Sequence, residues 1–368
     1  MYMSGRMAKL TIWLREEART TERRTPLLPE GAKQLIEADI NVVIEKSKKR
    51  IYDDALYEAA GCTMAKAGTW QSAPKNTIIL GLKELPATPE TLIHTHIYFA
   101  HAFKEQSGWQ ELLARFQRGE GSLLDIEYMT QENGRRVVAF GYWAGYMGAA
   151  LALLQWYDKK AGRASYVNKG LMPFDSAKAL DNLIDSKALG GETPTALVIG
   201  ASGRSGIGAA EILERHGVKV TRWGRKETAS LDRDAILDHD ILINCTFVAD
   251  MIPPFLTADH IKADSRLTVI SDVSCDPFSD FNPLPLYKAP TCWNTPAISV
   301  DTPSGDIDLI AIDNLPSLLP TEASIEFATM LLPYLKSLKD RDTNPVWKAC
   351  EAAYQQASDA MMKQGQKQ

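Results

Sequence analysis

Over residues 10–129 the chain alternates short apolar runs with segments of helical period: LTIWLR, LPEGAKQLIEA, INVVIEK, DDALYEAAG, NTIILGLK, TLIHTHIYFAHAF, GWQELLARFQRG and SLLDIEYM. That alternation predicts βαβ units, a parallel sheet with helices on its faces. A longer apolar segment, residues 141–160, places Trp143, Met147, Leu151, Leu154 and Trp156 at helical spacing and ends in DKKAGR. It suits either a helix connecting two domains or an ordinary core helix of the first. Residues 161–193 are polar with scattered Gly, Pro and Ser and read as partly loop. A second alternation begins at TALVIGASGRSGIGAAEILERHG and continues through VKVTRWG, DILINCTF, LTVISDVS and IDLIAID, spaced as in another doubly wound sheet. From Leu315 the chain is proline-rich, LPSLLPTEAS, and it ends in a helical pattern that can return to the first sheet. The expected organisation is therefore α/β with two domains, residues 1–140 with 318–368, and residues 141–317.

Length agrees with that division: 368 residues, 45% hydrophobic and 24% charged, fit a globular protein of about two domains. The net charge is -5, with Lys and Arg mixed among Asp and Glu. Nucleic acid as a partner would ask for positive charge on one face, so small-molecule chemistry is the better expectation. Five cysteines, at 62, 245, 275, 292 and 350, are odd in number and contain no CxxC. They suggest neither a disulfide scaffold nor a zinc or other metal site, and point to a reducing cytoplasm. No apolar core follows the basic residues of MYMSGRMAKL, and AGYMGAALALLQWY is too short to span a bilayer, so neither export nor membrane anchoring is expected.

The turn VIGASGRSGIG follows a strand pattern and opens a helical one. Gly200, Gly203, Gly206 and Gly208 leave room for backbone to approach a pyrophosphate, which the amides and dipole of the helix N-terminus would then face. The spacing, GxxGxxG, is one residue longer than the usual GxGxxG, and a tight turn without a ligand is the competing reading. Candidate contacts to a dinucleotide are Gly200, Gly203, Arg204, Ser205 and Gly206 in the turn, Arg225 and Lys226 after the second strand, and Thr246 after the third. NAD sites offer an acid to the ribose 2'-hydroxyl where the second strand ends; here the chain reads RWGRKE, with Gly224 in that place. Arg225 and Lys226 are either two solvated charges or partners for a 2'-phosphate, and the local electrostatics lean toward NADP.

Five stretches of the first half put charge after apolar runs: LREEARTTERRTPLLP, GLKE, FAHAFK, LLDIEY and GRRVVAFG. Carboxyl ends of strands in a doubly wound sheet line one crevice, so these charges can converge. Singly, each has an ordinary explanation: a snorkelling Lys83, a hydrogen-bonded core His101, solvated or paired Glu84 and Glu127, a charged loop of arginines.

Read together, WLREEARTTERRTPLLP, GLKELP, HIYFAHAFK, LLDIEY, GRRVVAFG and IDNLPSLLPTEAS resemble saccharopine dehydrogenase of the lysine-forming type, in order and over about residues 9–350. The resemblance implies two Rossmann-like domains with the active site in the cleft between them, as in the related alanine dehydrogenases and transhydrogenases. It further implies interconversion of saccharopine, water and oxidised cofactor with L-lysine, 2-oxoglutarate and reduced cofactor, NAD being the family's preference. Lys83 and His101 would form the acid–base pair, with Glu84 and Glu127 tuning it. Three substrate carboxylates call for cationic anchors, for which Arg24 and Arg136 are first choices and Lys104 and Arg19 next. Asp313 matches a family position that would meet the lysine end of the substrate; a turn-forming Asp is the alternative.

The chain departs from the family pattern at three places. Arg19 stands where lysine is frequent, and Ser205 where some members have cysteine, which removes a disulfide to Cys245. Gly224 replaces the ribose-binding Asp, which sets the NADP leaning against the family's NAD. A related coupling of another amine with a keto acid, and an inactive cofactor-binding paralogue, are the competing readings; retention of Lys83 and His101 argues against the second.

Overall fold

The structure is a computed structural model and describes residues 9–100, 102–103, 108–188, 190, 192–248, 250–303 and 305–365. The chain divides into two compact units, Met1–Ala139 with Ala323–Gln368, and Phe140–Glu322.

In the first unit the short apolar runs form strands β1 (Thr11–Leu14), β2 (Asn41–Glu45), β3 (Thr63–Ala65), β4 (Ile78–Leu80), β5 (Thr95–Tyr98) and β6 (Ser122–Asp125). Helices α1 (Pro29–Glu37), α2 (Asp54–Ala59) and α3 (Trp109–Gly119) lie between them in sequence. All neighbouring strands run parallel in the order β3-β2-β1-β4-β5-β6. Leu14 is in register with Ile44 on one side and Leu80 on the other, so β1, β2 and β4 end at one level. Ile12, Leu14, Ile44, Ile79, Leu80 and Ile97 are all buried. Such unbroken apolar strands are what a parallel sheet covered on both faces requires.

The second unit begins with the long apolar helix α4 (Gly141–Lys160), then α5 (Ala177–Lys187) inside the polar segment. Strands β7 (Thr195–Ile199), β8 (Lys219–Trp223), β9 (Ile241–Asn244), β10 (Val269–Asp272), β11 (Ala297–Val300) and β12 (Ile307–Ile310) follow, with α6 (Arg204–Arg215), α7 (Arg225–Ala229) and α8 (Arg233–Leu237). Their order is β11-β12-β10-β9-β7-β8, parallel except for β11 against β12. Sequence pattern did not single out β11: AISV is short and sits at the sheet edge with only Ala297 fully buried. Alternate residues serve two cores, Ala196, Val198, Ile241 and Ile243 on one face, Leu197, Ile199, Leu242 and Ile270 on the other.

Helix α4 packs on the first of those faces beside α6. A side chain on Gly145 would stand 1.7 Å from the Ser205 carbonyl oxygen, and one on Gly208 2.2 Å from that of Tyr142, so the two backbones touch. Tyr142 donates to Glu211 and Tyr146 accepts from Arg215, about one turn further along each helix, so both run in the same direction.

The chain closes with α9 (Pro320–Lys336) and α10 (Pro345–Gly365). Within the first unit the Ser324 hydroxyl accepts the Thr25 amide at 3.0 Å, and Phe327 meets Phe99 with ring centroids 5.8 Å apart. On α10, Tyr354 donates to the Gly121 carbonyl at 3.2 Å and the Cys350 thiol to that of Asp125 at 3.5 Å, which satisfies edge carbonyls at β6.

One polar group in this core is exceptional. His96, at the middle of β5, is wholly buried against Trp70 and Phe116, with ring centroids at 5.2 and 5.4 Å, and neither ring nitrogen has a hydrogen-bond partner among the described residues. Desolvation, helped by the charges of Arg15, His94 and Arg115, pushes its pKa well below the ordinary imidazole value. The folded state therefore keeps His96 neutral while the unfolded chain takes up a proton below about pH 6.5, so this linkage lowers stability as pH falls from there. Replacing His96 by Leu should flatten the acid limb of stability by about 1.4 kcal/mol per pH unit between pH 6.5 and the folded-state pKa. Urea unfolding of both proteins across pH 5 to 8 checks it, parallel pH dependences being the contrary result.

Candidate active site

In the first sheet β1 has β2 on one side and β4 on the other. The loops leaving β1 and β4 thus diverge and bound a crevice at the carboxyl ends of the strands. What fills it is fixed by Glu17, whose buried carboxylate accepts the amides of Leu82 at 2.7 Å and Lys83 at 2.9 Å. Arg15 donates to the same carboxylate at 3.3 Å and also to the Lys83 carbonyl. Gly81 makes that possible, because a side chain there would fall 2.5 Å from the Arg15 guanidinium. Glu45 does the same for the neighbouring strand: its buried carboxylate takes the amides of Glu16 at 2.9 Å, Gly68 at 3.0 Å and Trp70 at 2.7 Å, and the Trp13 indole at 3.2 Å.

Four of the expected residues, Lys83, Arg24, Arg19 and Glu84, sit on or beside this frame. Lys83 is half-buried, three residues beyond β4. Arg24 is buried in a bidentate pair with Glu22, at 2.9 and 2.7 Å. Burial pushes the Glu22 carboxyl upward, but the charge and hydrogen bonds of Arg24 and the charge of Lys83 outweigh it, and the net shift is downward. Arg19 pairs with the exposed Glu84. Partial burial raises the Glu84 carboxyl, and the Arg19 hydrogen bond, its own backbone amide and the Lys83 charge bring it below the usual value.

The remaining expectations are more scattered. Glu127 follows β6 in a tight turn, its amide donating to Asp125 at 3.0 Å, and its charge contributes, after desolvation, to the raised pKa of Tyr128. Arg136 is exposed and bridges to Thr130 through the backbone. His101 and Lys104 lie outside the described residues. Asp313, in the second unit, is exposed beyond β12, and its charge adds to the desolvation that raises the Cys275 thiol.

At the second sheet's switch point, β7 lies between β8 and β9. Gly200 ends β7 at φ +80, and a side chain on it would meet the Cys245 carbonyl at 2.8 Å and the Thr246 methyl at 3.1 Å. A side chain on Gly206 would reach the Gly200 carbonyl oxygen at 2.3 Å. The turn is thus a bare backbone cradle. Gly203 caps α6 with no side-chain hydrogen bond, while Arg204 and Ser205, both half-buried, occupy the first turn. An uncapped helix start behind a glycine cradle fits a dinucleotide diphosphate. Thr246 is held by Asn244, whose amide oxygen accepts its hydroxyl at 2.7 Å; the Asn244 amide nitrogen donates to buried Asp272 at 2.9 Å, as does Tyr287 at 2.7 Å. Burial nonetheless leaves the Asp272 carboxyl raised. Arg225 and Lys226 are exposed at the start of α7. Gly224 carries no acid, and Glu227 accepts its amide at 2.8 Å, so a carboxylate stands at the end of β8. Among the described residues no group of His, Cys, Asp and Glu could hold a metal, and no helix is long and apolar enough to cross a membrane.

Residues 13–147 match the family model of the alanine dehydrogenase/PNT N-terminal domain. A saccharopine dehydrogenase (NAD(+), L-lysine-forming) of Emericella nidulans is 40% identical over 369 residues, covering 95% of this chain and 98% of its own. Its counterpart in Candida albicans is 41% identical over 357 residues, covering 91% and 93%. The chain belongs to the lysine-forming saccharopine dehydrogenase family. An L-alanine dehydrogenase structure superposes with TM-score 0.69 at 16% identity, covering 96% of this chain and 100% of that one. The transhydrogenase of Sinorhizobium meliloti follows with TM-score 0.61 at 15% identity, covering 89% and 94%. At those identities the likeness is one of fold, an α/β fold with two mainly parallel sheets shared beyond the saccharopine dehydrogenases themselves.

Glu17, Glu22, Arg15 and Glu45 were not singled out as site residues. In sequence they are charges in a charged loop or at a strand end, and only the register of β1, β2 and β4 reveals that their partners are backbone amides and each other. Glu17→Gln, which removes the charge from the buried pair, should cost about 3 kcal/mol or more, whereas Glu84→Gln in the exposed pair with Arg19 should cost under about 1 kcal/mol. Urea denaturation of the two variants compares them directly; equal losses would contradict this division.

Proposed function

We propose that the protein interconverts saccharopine and L-lysine plus 2-oxoglutarate with a nicotinamide dinucleotide, Lys83 and His101 moving the protons. The match to lysine-forming saccharopine dehydrogenases along nearly the whole chain carries this reading, and it favours lysine over another amine and an active enzyme over an inactive relative. When bound, the dinucleotide supplies the hydride acceptor or donor, and the assigned one is NAD, as in the names of the relatives. Gly200, Gly203, Arg204, Ser205, Gly206 and Thr246 would hold it.

Hydride leaves the carbon beside the secondary amine of saccharopine only when that nitrogen has a free lone pair. Lys83 takes the proton. Its backbone is clamped by Glu17 and Arg15, and Glu22 and Glu84 carry negative charge within electrostatic reach of its amine. Water then adds to the imine and the carbinolamine collapses, with His101 delivering and removing protons at oxygen and nitrogen. Arg19, Arg24, Lys104 and Arg136 are the anchors for the substrate carboxylates, and Asp313 faces the ammonium of the lysine portion. Arg24, buried and already paired with Glu22, acts through a fixed guanidinium, and Arg19 through an exposed one. Glu127 is assigned the tuning of the proton-transfer pair, as its match to the family pattern implies.

Cofactor oxidation should require lysine and 2-oxoglutarate together, and no turnover with that mixture would sink the proposal. Lys83→Met should lower kcat by about 10²- to 10⁴-fold with the dinucleotide Kd unchanged, and combining it with His101→Gln should lower turnover further; a double variant as fast as the parent would remove both roles.

The cradle has its own test. Gly206→Ala places a methyl 2.3 Å from a backbone oxygen, whereas Gly203→Ala places one 3.3 Å from the same atom, a tight contact that a shift of a few tenths of an ångström relieves. Fluorescence titration with NADH should find Gly206→Ala at least tenfold weaker than the parent and Gly203→Ala within a few-fold of it.

A further inference from the structure

Strand β8 ends at Trp223, and the residue that follows, Gly224, brings no side chain to the place where a ribose-binding acid would stand. The carboxylate that reaches this place comes from three residues downstream. Glu227, in the first turn of α7, folds back so that its Oε2 accepts the Gly224 amide at 2.8 Å. The same oxygen lies 3.6 Å from the point a Cβ at position 224 would occupy, at the root of the missing side chain. A Cβ there would be in ordinary contact with the carboxylate, so Glu227 occupies the space next to position 224. The Gly224 amide and Glu227's own amide together hold the carboxyl below its usual range, so it is ionised throughout the neutral region. One oxygen is committed to the backbone, and an ionised carboxylate has further lone pairs to offer a hydroxyl.

We propose that Glu227 receives the adenosine ribose hydroxyls of NAD and, by its fixed charge, turns away the 2'-phosphate of NADP. The assignment rests on the glycine turn holding the diphosphate, as proposed above. Arg225 and Lys226 do not reverse it. Both side chains are exposed, and the charge of Lys226 is engaged in part with Glu227, whose carboxylate is tied to the backbone at the end of β8. A 2'-phosphate beside Gly224 would stand against the negative charge that is held there by the backbone.

Tryptophan-fluorescence titration with NADH and with NADPH tests the assignment on the parent, on Glu227→Gln, and on Glu227→Gln combined with Gly224→Asp. The parent should bind NADH at least tenfold more tightly than NADPH. Glu227→Gln should reduce that ratio tenfold or more by weakening NADH, with NADPH binding retained or improved as the sign of an intact fold. Adding Gly224→Asp should restore the preference, because it returns an acid to the same place by the shorter route. A parent that prefers NADPH, or a ratio unchanged in Glu227→Gln, including equal weakening of both ligands, overturns the role of Glu227. A parent that binds neither dinucleotide overturns the glycine-turn reading along with it.

Discussion

The geometry at the end of the first sheet depends on one carboxylate. Glu17 is an acid buried beside a basic residue, yet the more telling partners are the amides of Leu82 and Lys83, which no neighbouring strand satisfies once β4 has ended. A single side chain from the β1 loop thereby stands in for a strand toward the Leu82 and Lys83 amides, while the Leu82 carbonyl still accepts the Phe99 amide at 3.1 Å. Arg15 closes the ring by spanning from Glu17 to the Lys83 carbonyl. Charge-assisted bonds of this kind are stronger than neutral ones and costly to leave half-made. The Lys83 backbone is therefore held in place from two sides, which is what positioning a proton-exchanging group asks of its surroundings.

The second unit solves the comparable problem without charge. Its turn is positioned by contact between backbones, at Gly145 against Ser205 and Gly208 against Tyr142. Side chains would hold the two helices apart; their absence lets α4 brace the first turn of α6 directly. Each unit thus prepares the carboxyl end of its sheet, one with buried ions and the other with missing side chains.

The main strands were legible because strands covered on both faces are mostly apolar, and the interiors of TIWL, NVVIE, TALVI and ILIN are. Strand β11 was not, since an edge strand of four residues needs little hydrophobicity to pair with β12. Lys83 and Glu84 stood out as charges after an apolar run, and the glycine turn stood out by composition. Glu17, Glu22 and Glu45 did not, because a carboxylate that satisfies backbone amides looks in sequence like one that faces water. The end of β8 shows a related effect. Position 224 by itself offers no acid, whereas the Glu227 carboxylate reaches back across three residues to accept the Gly224 amide. Motif spacing registers which side chain is at a position, and not which one arrives there from elsewhere.

The attachment of α10 to β6 has a consequence for the order in which the protein is made. The first unit takes its last elements, from Ala323 onward, after the whole of Phe140–Glu322 has been synthesised. Until Cys350 and Tyr354 emerge, the carbonyls of Asp125 and Gly121 have no donors from that helix, and the margin of the sheet is open. The second unit, encoded without interruption, has all its strands before then. A ribosome-bound chain consequently has every strand of the second sheet before the first sheet has its closing helix, and exposed strand margins invite pairing with other chains. The final helix is thus a closing latch, and the interval before it arrives is when the nascent protein most needs protection from its neighbours.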